Sequence, residues 1–339
     1  MKEIKVQDAV GTVLAHDLTQ IIPNDFKGAR FRKGYVVQES DIETLLDMGK
    51  KNLYVLDKLD SDVHEDDAAF RIATVAAGKG VRLGEPKEGK IELFAEYDGL
   101  LKINTDMLAN LIDQDEIMFA TIHENRLVKK GDKLAGTRVI PLFVNEAIVE
   151  GAEKVCKRGP LMEIVALRDH KVGIVTTGSE VYSGRVKDAF GPVLREKFGN
   201  LGSTVFEQLF ADDDVDMIAD CIKTLLDNGA EMIGVTGGMS VDPDDKTPSG
   251  IKKAGGHIVT YGAPTLPGAM FMLAYIGKVP VVGLPGCVMY SNISIFELIV
   301  PRILAGETLT RRDVKKLAHG GLCLNCENCT FPICGFGKA

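Results

Sequence analysis

The second half of the chain alternates short apolar runs with longer segments that carry apolar residues at helical spacing, and this alternation constrains the fold most. Apolar strands that alternate with helices are typical of a mostly parallel sheet covered by helices on both faces. We therefore predict a three-layer α/β domain with a mostly parallel, Rossmann-like sheet. The predicted strands lie at 172–177, 204–209, 231–236 and 279–284, and the predicted helices at 187–198, 215–226 and 292–304.

The first 150 residues follow a different pattern. Ser40 and Glu43 have the spacing of a capping box, which predicts a helix that stops at Gly49. A short strand at 51–56 and a helix at 65–77 follow, and short apolar runs between turn residues then predict a β-rich unit. The predicted organisation is a smaller mixed α/β N-terminal region at 1–80, a β-rich domain at 81–150, a connector at 151–170, the α/β domain at 171–310 and a tail at 311–339.

The composition is that of an ordinary folded protein, since 45% of the 339 residues are hydrophobic and 26% are charged. This excludes a collagenous, disordered or low-complexity chain. The formal net charge of −8 argues against non-specific binding of nucleic acid, which needs a dense positive face. The longest apolar stretch is interrupted by Lys278 and Pro280, and the first residues lack an apolar signal-peptide core. We therefore expect a cytoplasmic protein that binds neither nucleic acid nor membranes.

Three glycine-containing segments follow directly after predicted strands. Their sequences are T-T-G-S-E at 176–180, T-G-G-M-S at 236–240 and L-P-G-C at 284–287. In an open α/β sheet, ligands bind outside the carboxyl ends of the strands, where glycine lets backbone N–H groups approach an anion closely. One such segment is usually only a tight turn, but three together predict an anion-binding site. The chain has neither a Walker A motif nor a G-x-G-x-x-G motif after a strand, which excludes an ordinary P-loop or dinucleotide site.

The second glycine segment continues into the acidic sequence V-D-P-D-D-K-T-P at 241–248. Carboxylates beside a phosphate site can hold Mg²⁺, which bridges phosphate oxygens, and Asp242, Asp244 and Asp245 are the candidates. The alternative is an Asp-Pro turn followed by a helix that Thr247 caps, with a proline in its first turn. Both interpretations can hold together, with Asp245 functional and Thr247 structural.

These motifs together resemble a known family. Residues 170–310 are similar to the molybdopterin-binding domain shared by molybdenum-cofactor enzymes of the MoeA, MogA and gephyrin type. T-G-S-E-V at 177–181 resembles the family's T-G-D-E-L, with Ser179 in the place of its Asp. T-G-G-M-S-V at 236–241 resembles T-G-G-x-S-V, and D-K-T-P at 245–248 resembles the D-x-T-P of the MogA-type branch.

The third glycine segment also matches the family, since L-P-G at 284–286 is its L-P-G signature. Cys287 replaces the usual Asn or Ser that follows, and Asp188 falls near the place of an acidic residue of the MogA-type branch. The resemblance implies that a pterin dithiolene with a terminal phosphate or AMP lies across the strand ends. The implied ligand-binding residues are Thr177, Gly178, Ser179, Gly237, Gly238, Ser240, Asp242, Thr247, Pro285 and Gly286.

The family uses such a site for two reactions, adenylylation of molybdopterin and insertion of molybdate or tungstate with release of AMP. Asp245, Asp188 and Glu180 are the implied catalytic residues, with Asp245 holding Mg²⁺ or the oxyanion. The opening A-V-G-T-V-L-A at 9–15 resembles that of MoeA-like chains, which favours insertion by a molybdopterin molybdotransferase-like enzyme.

Other functions stay open at this point. Ser179 and Cys287 depart from the family pattern and favour a non-catalytic carrier or sensor of molybdopterin, and adenylylation is a further alternative. Hydrolysis of pyridine nucleotides or nucleotide sugars on the same fold is a third class. Family analogy also implies a homodimer that binds molybdopterin or its adenylylated form and serves a recipient molybdoenzyme.

Four of the seven cysteines crowd into the C-terminal tail with the spacing C-x₂-C-x₂-C-x₄-C. Structural disulfides are not expected in a cytoplasmic protein. An iron–sulfur cluster, a Zn²⁺ site and a metal-free thiol tail all remain compatible with this spacing. In the first two cases the metal ligands are Cys323, Cys326, Cys329 and Cys334.

Overall fold

A computed structural model describes residues 2–22, 25–56 and 62–338. Its first elements are short, and strands predominate among them. They are β1 (Lys2–Lys5), a 3₁₀ turn (Val6–Asp8), β2 (Leu18–Ile22), β3 (Phe26–Phe31), α1 (Asp41–Asp47), β4 (Asn52–Val55), β5 (Asp62–His64), α2 (Glu65–Ala76), β6 (Val81–Leu83), β7 (Lys90–Ala95), β8 (Gly99–Ile103), α3 (Thr105–Ile112), β9 (Ile117–Thr121), β10 (Arg126–Val128), β11 (Lys133–Val139), β12 (Phe143–Asn145), α4 (Glu146–Cys156) and β13 (Met162–Val165).

The remaining elements alternate strands with helices over most of their length. They are β14 (Lys171–Thr177), α5 (Ser179–Tyr182), α6 (Phe190–Asn200), β15 (Thr204–Ala211), α7 (Val215–Asp227), β16 (Met232–Thr236), α8 (Thr247–Lys253), β17 (His257–Tyr261), β18 (Met272–Ile276), β19 (Val279–Leu284), α9 (Cys287–Tyr290), α10 (Ile295–Leu304) and α11 (Arg311–Lys316). No helix in the described ranges has the length and apolar character needed to cross a lipid bilayer.

The chain divides into two compact units whose boundaries differ from the five predicted segments. The first unit comprises Met1–Glu96, Ile103–Ile122 and Gly131–Glu163, and the second comprises Tyr97–Lys102, His123–Lys130 and Ile164–Ala339. Two short excursions therefore belong to the second unit although they lie within the first part of the sequence. Sequence patterning reveals elements, but it does not reveal which unit a short excursion joins.

The first unit contains the two N-terminal helices at their predicted places, but the predicted capping box before α1 is wrong. Ser40 has helical backbone angles and makes no side-chain cap hydrogen bond. The Asp41 carboxylate accepts hydrogen bonds from the Gln38 N–H and the Tyr35 hydroxyl, both at 2.9 Å, so it organises this helix start instead. At the start of α2, the buried His64 accepts a hydrogen bond from the Asp66 N–H at 3.1 Å.

Half of the segment predicted as a connector lies in regular secondary structure. Its first residues lie in α4, whose buried face includes Val149, Ala152 and Cys156 at helical spacing. Arg71 of α2 forms ion pairs of 2.8 Å with Glu146 and with a second carboxylate of α4. Helix α4 ends at Cys156, and β13 begins only a few residues later, at Met162.

The second unit is built on a six-stranded sheet with the order β15-β14-β16-β19-β18-β17. The first four strands pair in parallel, while β18 and β17 add antiparallel at one edge. One face packs against a cluster that includes Leu194, Phe198 and Phe296, and the other against a cluster that includes Ile218 and Ile251. Helices therefore cover both faces, and the predicted α/β fold is confirmed.

All four predicted parallel strands are present, with ends that differ by no more than a few residues from the prediction. Helices α6 and α10 begin later than predicted. For α10, the reason is a capping box in which Ser294 and Glu297 satisfy the first backbone N–H groups. The antiparallel strands β17 and β18 are absent from the prediction.

Candidate functional site

The three glycine segments follow parallel strands whose carboxyl ends are aligned in the sheet. In the register of the parallel strands, Thr176 of β14 pairs with Thr236 of β16, and Thr236 pairs with Leu284 of β19. From β14 the chain crosses to β15 on one side, whereas from β16 it continues to β17, β18 and β19, which all lie on the other side. The crevice between β14 and β16 is therefore the topological switch point, where open α/β sheets bind ligands. Sheet topology thus brings the predicted binding segments together.

The first and second segments are in close contact at Gly237. This residue has φ of +83°, and a Cβ atom built on it would lie 2.3 Å from the Thr177 carbonyl oxygen. A side chain at this position would clash with backbone, so only glycine fits. The contact places the second segment directly against the end of β14.

The Thr247 side chain contacts both the first and the second segment. Its hydroxyl donates to the Gly237 carbonyl at 2.8 Å and lies 3.1 Å from the Thr177 hydroxyl. Thr247 is fully buried and is the first residue of α8, and its neighbour Lys246 occupies the cap position without a side-chain cap. The prediction that Thr247 caps this helix is therefore wrong, because its hydroxyl is bound to Gly237.

The first segment is anchored to the loop after β15. The Ser179 N–H donates to the Asp213 carboxylate at 2.9 Å, and the Ser179 hydroxyl contacts both Asp213, at 3.1 Å, and Asp212. The Ser179 hydroxyl and the Asp213 N–H hold the pKa of Asp212 below its ordinary value. A carboxylate at position 179 would face two other carboxylates, which like-charge repulsion disfavours. Serine at position 179 is thus matched to this loop.

Glu180, the predicted catalytic residue of this segment, is exposed, and its carboxylate lies over Gly178. Asp188, a second predicted catalytic residue, lies in a hydrogen-bond network at the start of α6. It accepts from the Phe190 N–H at 2.9 Å and the Gly191 N–H at 3.0 Å at the start of α6, and from Gln208 Nε2 at 2.7 Å. Both oxygens of Asp188 therefore have the contacts of a helix cap.

Gln208 is a residue of this region that the sequence analysis missed. Its amide donates to the Thr176 hydroxyl at 2.9 Å as well as to Asp188. It thereby ties the end of β14 to the start of α6 across the sheet. Such a role has no local sequence signature, because Gln208 lies within an ordinary strand.

The acidic part of the second segment forms a closed turn. Asp245 accepts from the Asp242 N–H at 2.7 Å and donates its own N–H to the Asp242 carbonyl at 3.0 Å. Asp242 and Ser240 are exposed, and Asp245 is half-buried. The predicted binding residues Ser240 and Asp242 are therefore accessible to solvent, whereas Thr247, which was also predicted to bind the ligand, is buried.

Tyr261 supports the second segment from the edge strand β17 and was also missed by the sequence analysis. Its hydroxyl donates to the carbonyl oxygens of Met239, at 2.8 Å, and Ser240, at 3.1 Å. Burial and the nearby negative charge of Asp245 raise the pKa of Tyr261. The tyrosine therefore stays protonated and holds this loop as a donor.

In the third segment, Pro285 is buried, Gly286 is exposed and Cys287 begins the short helix α9. Burial raises the pKa of Cys287, and the charges of Glu297 and Lys197 oppose each other in their effect on it. Lys197 and Glu297 form an ion pair whose side chains are only 14% and 17% exposed. The thiol at 287 is therefore an uncharged group beside a sheltered ion pair.

Charge at the crevice is predominantly negative. The stretches 176–180, 212–214 and 236–247 contain seven acidic residues and one basic residue, Lys246. A phosphate-bearing ligand would be repelled by such a field unless a cation neutralised it or backbone N–H groups faced it directly. The arrangement is thus suited to an anion only together with a divalent cation or with the glycine amides.

The predicted metal ligands do not form a ready-made site. Within residues 2–22, 25–56 and 62–338, no three His, Cys, Asp or Glu side chains are arranged to hold one metal ion. This applies to Asp245 and Asp188 and also to the cysteines of the tail. All four tail cysteines nevertheless line a single cavity of about 500 Å³, and all of them are free thiols.

Comparison with known families gives two matches. Residues 173–305 match a family model described as a probable molybdopterin binding domain, and residues 3–57 match one described as a domain of unknown function. The first match covers β14 to α10 almost completely and therefore includes all three glycine segments.

Curated relatives match over shorter stretches. A CinA-like protein of Mycobacterium avium (strain 104) is 35% identical over 77 residues, which are 23% of this chain and 18% of that protein. A CinA-like protein of Syntrophus aciditrophicus (strain SB) is 35% identical over 89 residues, 25% of this chain and 20% of that protein. A protein of Saccharolobus islandicus (strain L.S.2.15 / Lassen #1) is 34% identical over 81 residues, which are 24% of this chain and 31% of that protein. The chain thus spans between 18% and 31% of the length of these relatives.

Two solved structures match this chain at low sequence identity and low TM-score. The tungsten cofactor synthesizing protein MoaB from Pyrococcus furiosus is 20% identical, with a TM-score of 0.34, over 41% of this chain and 96% of that one. The molybdopterin biosynthesis MoeA protein from Pyrococcus horikosii is 14% identical, with a TM-score of 0.33, over 90% of this chain and 74% of that one.

Proposed function

From the premise that residues 173–305 form a domain of the molybdopterin-binding family, we propose that this chain binds a molybdopterin-type ligand in molybdenum-cofactor biosynthesis. The crevice between β14 and β16 is the proposed site. The observation that carries the proposal is the pairing of Thr176, Thr236 and Leu284, which sets the three glycine segments side by side. A pterin dithiolene with a terminal phosphate or AMP is an extended molecule, and we expect it to contact more than one of these segments.

In this proposal, the phosphate faces the backbone N–H groups of Gly237, Gly238 and Gly286 and the hydroxyl of Ser240. These groups lie at or next to the strand ends, where glycine allows close approach of the backbone. Amides fixed in a sheet-anchored loop stabilise negative charge without reorganising, which is the way enzymes stabilise charge that develops at phosphorus. Gly178 and Glu180 line the opposite side of the same crevice.

Mg²⁺ fits this site as an ion shared with the ligand. Mg²⁺ is usually bound by one or two carboxylates together with substrate phosphates, so three protein ligands are not required. Asp245 is the proposed ligand because its loop is fixed by Tyr261 and faces the crevice edge, which carries an excess of negative charge. When bound, Mg²⁺ would neutralise phosphate charge there.

For the reaction itself, we propose that the chain is an insertase, which transfers molybdate or tungstate to the dithiolene of adenylylated molybdopterin and releases AMP. The phosphoanhydride bond is cleaved in this reaction, and the amide groups named above would stabilise the phosphate oxygens as charge accumulates on them. Asp188, implied as catalytic by the family resemblance, instead positions α6 and Gln208 in this proposal, because both of its oxygens are already hydrogen-bonded.

A specific observation favours a second function, that of a non-catalytic molybdopterin carrier. Ser179 replaces an acidic residue of the family, and its hydroxyl is bound by Asp212 and Asp213. With Asp188 also committed to a helix start, only Asp245 and Glu180 remain of the acidic groups implied for catalysis. A carrier needs the binding segments but none of these carboxylates.

AMP release from adenylylated molybdopterin, measured with Mg²⁺ and either molybdate or tungstate, tests the proposal. Release that depends on the oxyanion supports the insertase, whereas ligand binding without release supports the carrier. We expect Asp245→Asn to reduce release about 100-fold or more, as loss of one charge-stabilising group does in other enzymes. Asp227→Asn, at the exposed end of α7, is the matched control. Failure of the wild-type chain to bind either form of molybdopterin would contradict both functions.

A further inference from the structure

The C-terminal segment 320–337, which we name the cysteine loop, is closed at its neck by backbone hydrogen bonds. The Gly337 N–H donates to the Gly320 carbonyl at 2.8 Å. On the incoming side, the Leu266 N–H donates to the Gly321 carbonyl and the Cys323 N–H donates to the Leu266 carbonyl, both at 2.8 Å. The loop therefore begins and ends at one fixed point on the second unit.

Between its ends, the cysteine loop has little internal structure of the ordinary kind. The described residues 317–338 contain no helix and no strand. A short turn is present, in which the Ile333 N–H donates to the Thr330 carbonyl at 2.7 Å. Phe336 is buried, but Leu322, Leu324 and Ile333 are 63%, 80% and 73% exposed. Apolar burial thus contributes little to holding this loop. Long loops without secondary structure in a compact domain are usually functional or need another constraint.

The four cysteines supply the groups for such a constraint. Cys323, Cys326, Cys329 and Cys334 all line one cavity of about 500 Å³ together with Phe331, and none of them forms a disulfide. A single Zn²⁺ with bonds of about 2.3 Å to sulfur would need all four sulfur atoms around one point. No such group exists in the part of the chain that the structure describes.

An iron–sulfur cluster makes a different geometric demand. Its cysteine ligands bind different iron atoms, so that they surround a body of several atoms. Thiols distributed around a shared cavity, each on a separate part of a short loop, match this demand. The closed neck of the loop keeps the four cysteine residues on the walls of one cavity.

We propose that the cysteine loop holds an iron–sulfur cluster through Cys323, Cys326, Cys329 and Cys334. This site is separate from the molybdopterin crevice and does not depend on the proposed function. The cavity also contacts the stretch Tyr290–Ile293, which follows the third glycine segment and α9. The cluster therefore lies beside the chain segment that leaves the crevice.

Analysis of iron, acid-labile sulfide and zinc in the full-length chain, purified without oxygen, is the first test. We expect iron and sulfide in matching amounts, with visible absorption that disappears when the protein is exposed to air. Protein purified without a cluster should gain the same absorption on addition of ferrous iron and sulfide. Zinc as the bound metal, or failure to take up iron and sulfide in this reconstitution, overturns the proposal.

Variants then assign the ligands. Cys329→Ser should lose most of the iron and sulfide, whereas Cys221→Ser on α7, whose thiol lies outside the cavity, should retain both. Circular dichroism of both variants shows whether the fold persists, and Cys326→Ser gives a second test if Cys329→Ser does not fold. Iron content that is unchanged in both tail variants contradicts the assignment. A molybdopterin-binding assay on the same samples reports on the crevice independently.

Discussion

The crevice and the cysteine loop lie in the same compact unit but are organised in different ways. The crevice is placed by the register of a parallel sheet and by the contact between Gly237 and Thr177, both of which exist without any ligand. The cysteine loop is placed only at its neck, by hydrogen bonds at Gly320, Gly321 and Leu266. Its interior brings four thiols to one cavity but not to one point.

This difference indicates how each site depends on its ligand. Backbone hydrogen bonds and buried strands fix the crevice, so binding of the proposed ligand would require little rearrangement of the chain. The cysteine loop has few buried apolar groups, and binding of a metal to such a loop contributes directly to its folding free energy. We therefore expect substitutions in the crevice to alter global stability, and loss of the proposed cluster to alter only the loop.

The largest effect is expected for Gly237→Ala. Its Cβ would lie 2.3 Å from the Thr177 carbonyl oxygen, at a φ of +83° that L-residues rarely adopt. Strain and the required backbone shift together should lower the free energy of unfolding by about 3 kcal/mol or more. Urea denaturation followed by circular dichroism measures this loss.

Gly286→Ala is the matched control for this substitution. Gly286 has an ordinary negative φ of −51°, and nothing lies within 4 Å of a Cβ built there. We expect its free energy of unfolding to stay within about 0.5 kcal/mol of the unsubstituted chain. Equal losses in both variants would show that close contact at Gly237 does not organise the crevice.

Thr247→Val should have the next largest effect. Valine has nearly the same shape but removes the hydroxyl that binds the Gly237 carbonyl at 2.8 Å, and it leaves buried polar atoms unpaired. The expected loss in free energy of unfolding is about 1–3 kcal/mol. Thr204→Val, at the exposed start of β15, should change stability far less. Similar values for the two variants would argue against a structural role for the buried hydroxyl.

Removal of the proposed cluster should produce a local effect. The cysteine loop then lacks its main constraint, and chymotrypsin should cut it after Leu324, which is 80% exposed. The urea midpoint of the rest of the second unit should not change. Mass spectrometry of limited digests with and without iron measures this difference. Identical cleavage in both forms would mean that the loop is ordered without a metal.

The parallel part of the sheet could be predicted from sequence because each strand is buried on both faces and therefore appears as an uninterrupted apolar run. Strands β17 and β18 could not, because the stretch between them contains Gly262, Pro264, Pro267 and Gly268, which are typical of loops. The antiparallel edge depends on pairing with β19, a contact that no local pattern encodes.

The same distinction applies to the crevice. The first two glycine segments could be identified because the backbone has positive φ at Gly178, Gly237 and Gly238, which favours glycine. The third could be identified because it directly follows a predicted strand. Gln208, Tyr261 and the pair Asp212 and Asp213 could not, since each acts across the sheet or between loops through a side chain of common type. Thr247 was identified, but its role was not, because a hydroxyl can bind whichever acceptor the tertiary structure presents.

The smallest expected effect concerns the contact between Ser179 and Asp212. The Ser179 hydroxyl is the main cause of the lowered pKa of Asp212, so this contact stabilises the folded chain above the ordinary Asp pKa of about 3.9. The contribution is lost as the pH falls through the lowered pKa of the folded state. In Ser179→Ala, the pKa of Asp212 should rise toward its ordinary value, while stability at neutral pH changes little because Asp212 is only half-buried and water screens its interactions. NMR titration of the Asp212 carboxyl carbon measures the shift, with the carboxyl of Asp227 as the internal reference. An unchanged pKa would mean that the Asp213 N–H alone holds Asp212, and that serine at position 179 is not matched to the acidic loop.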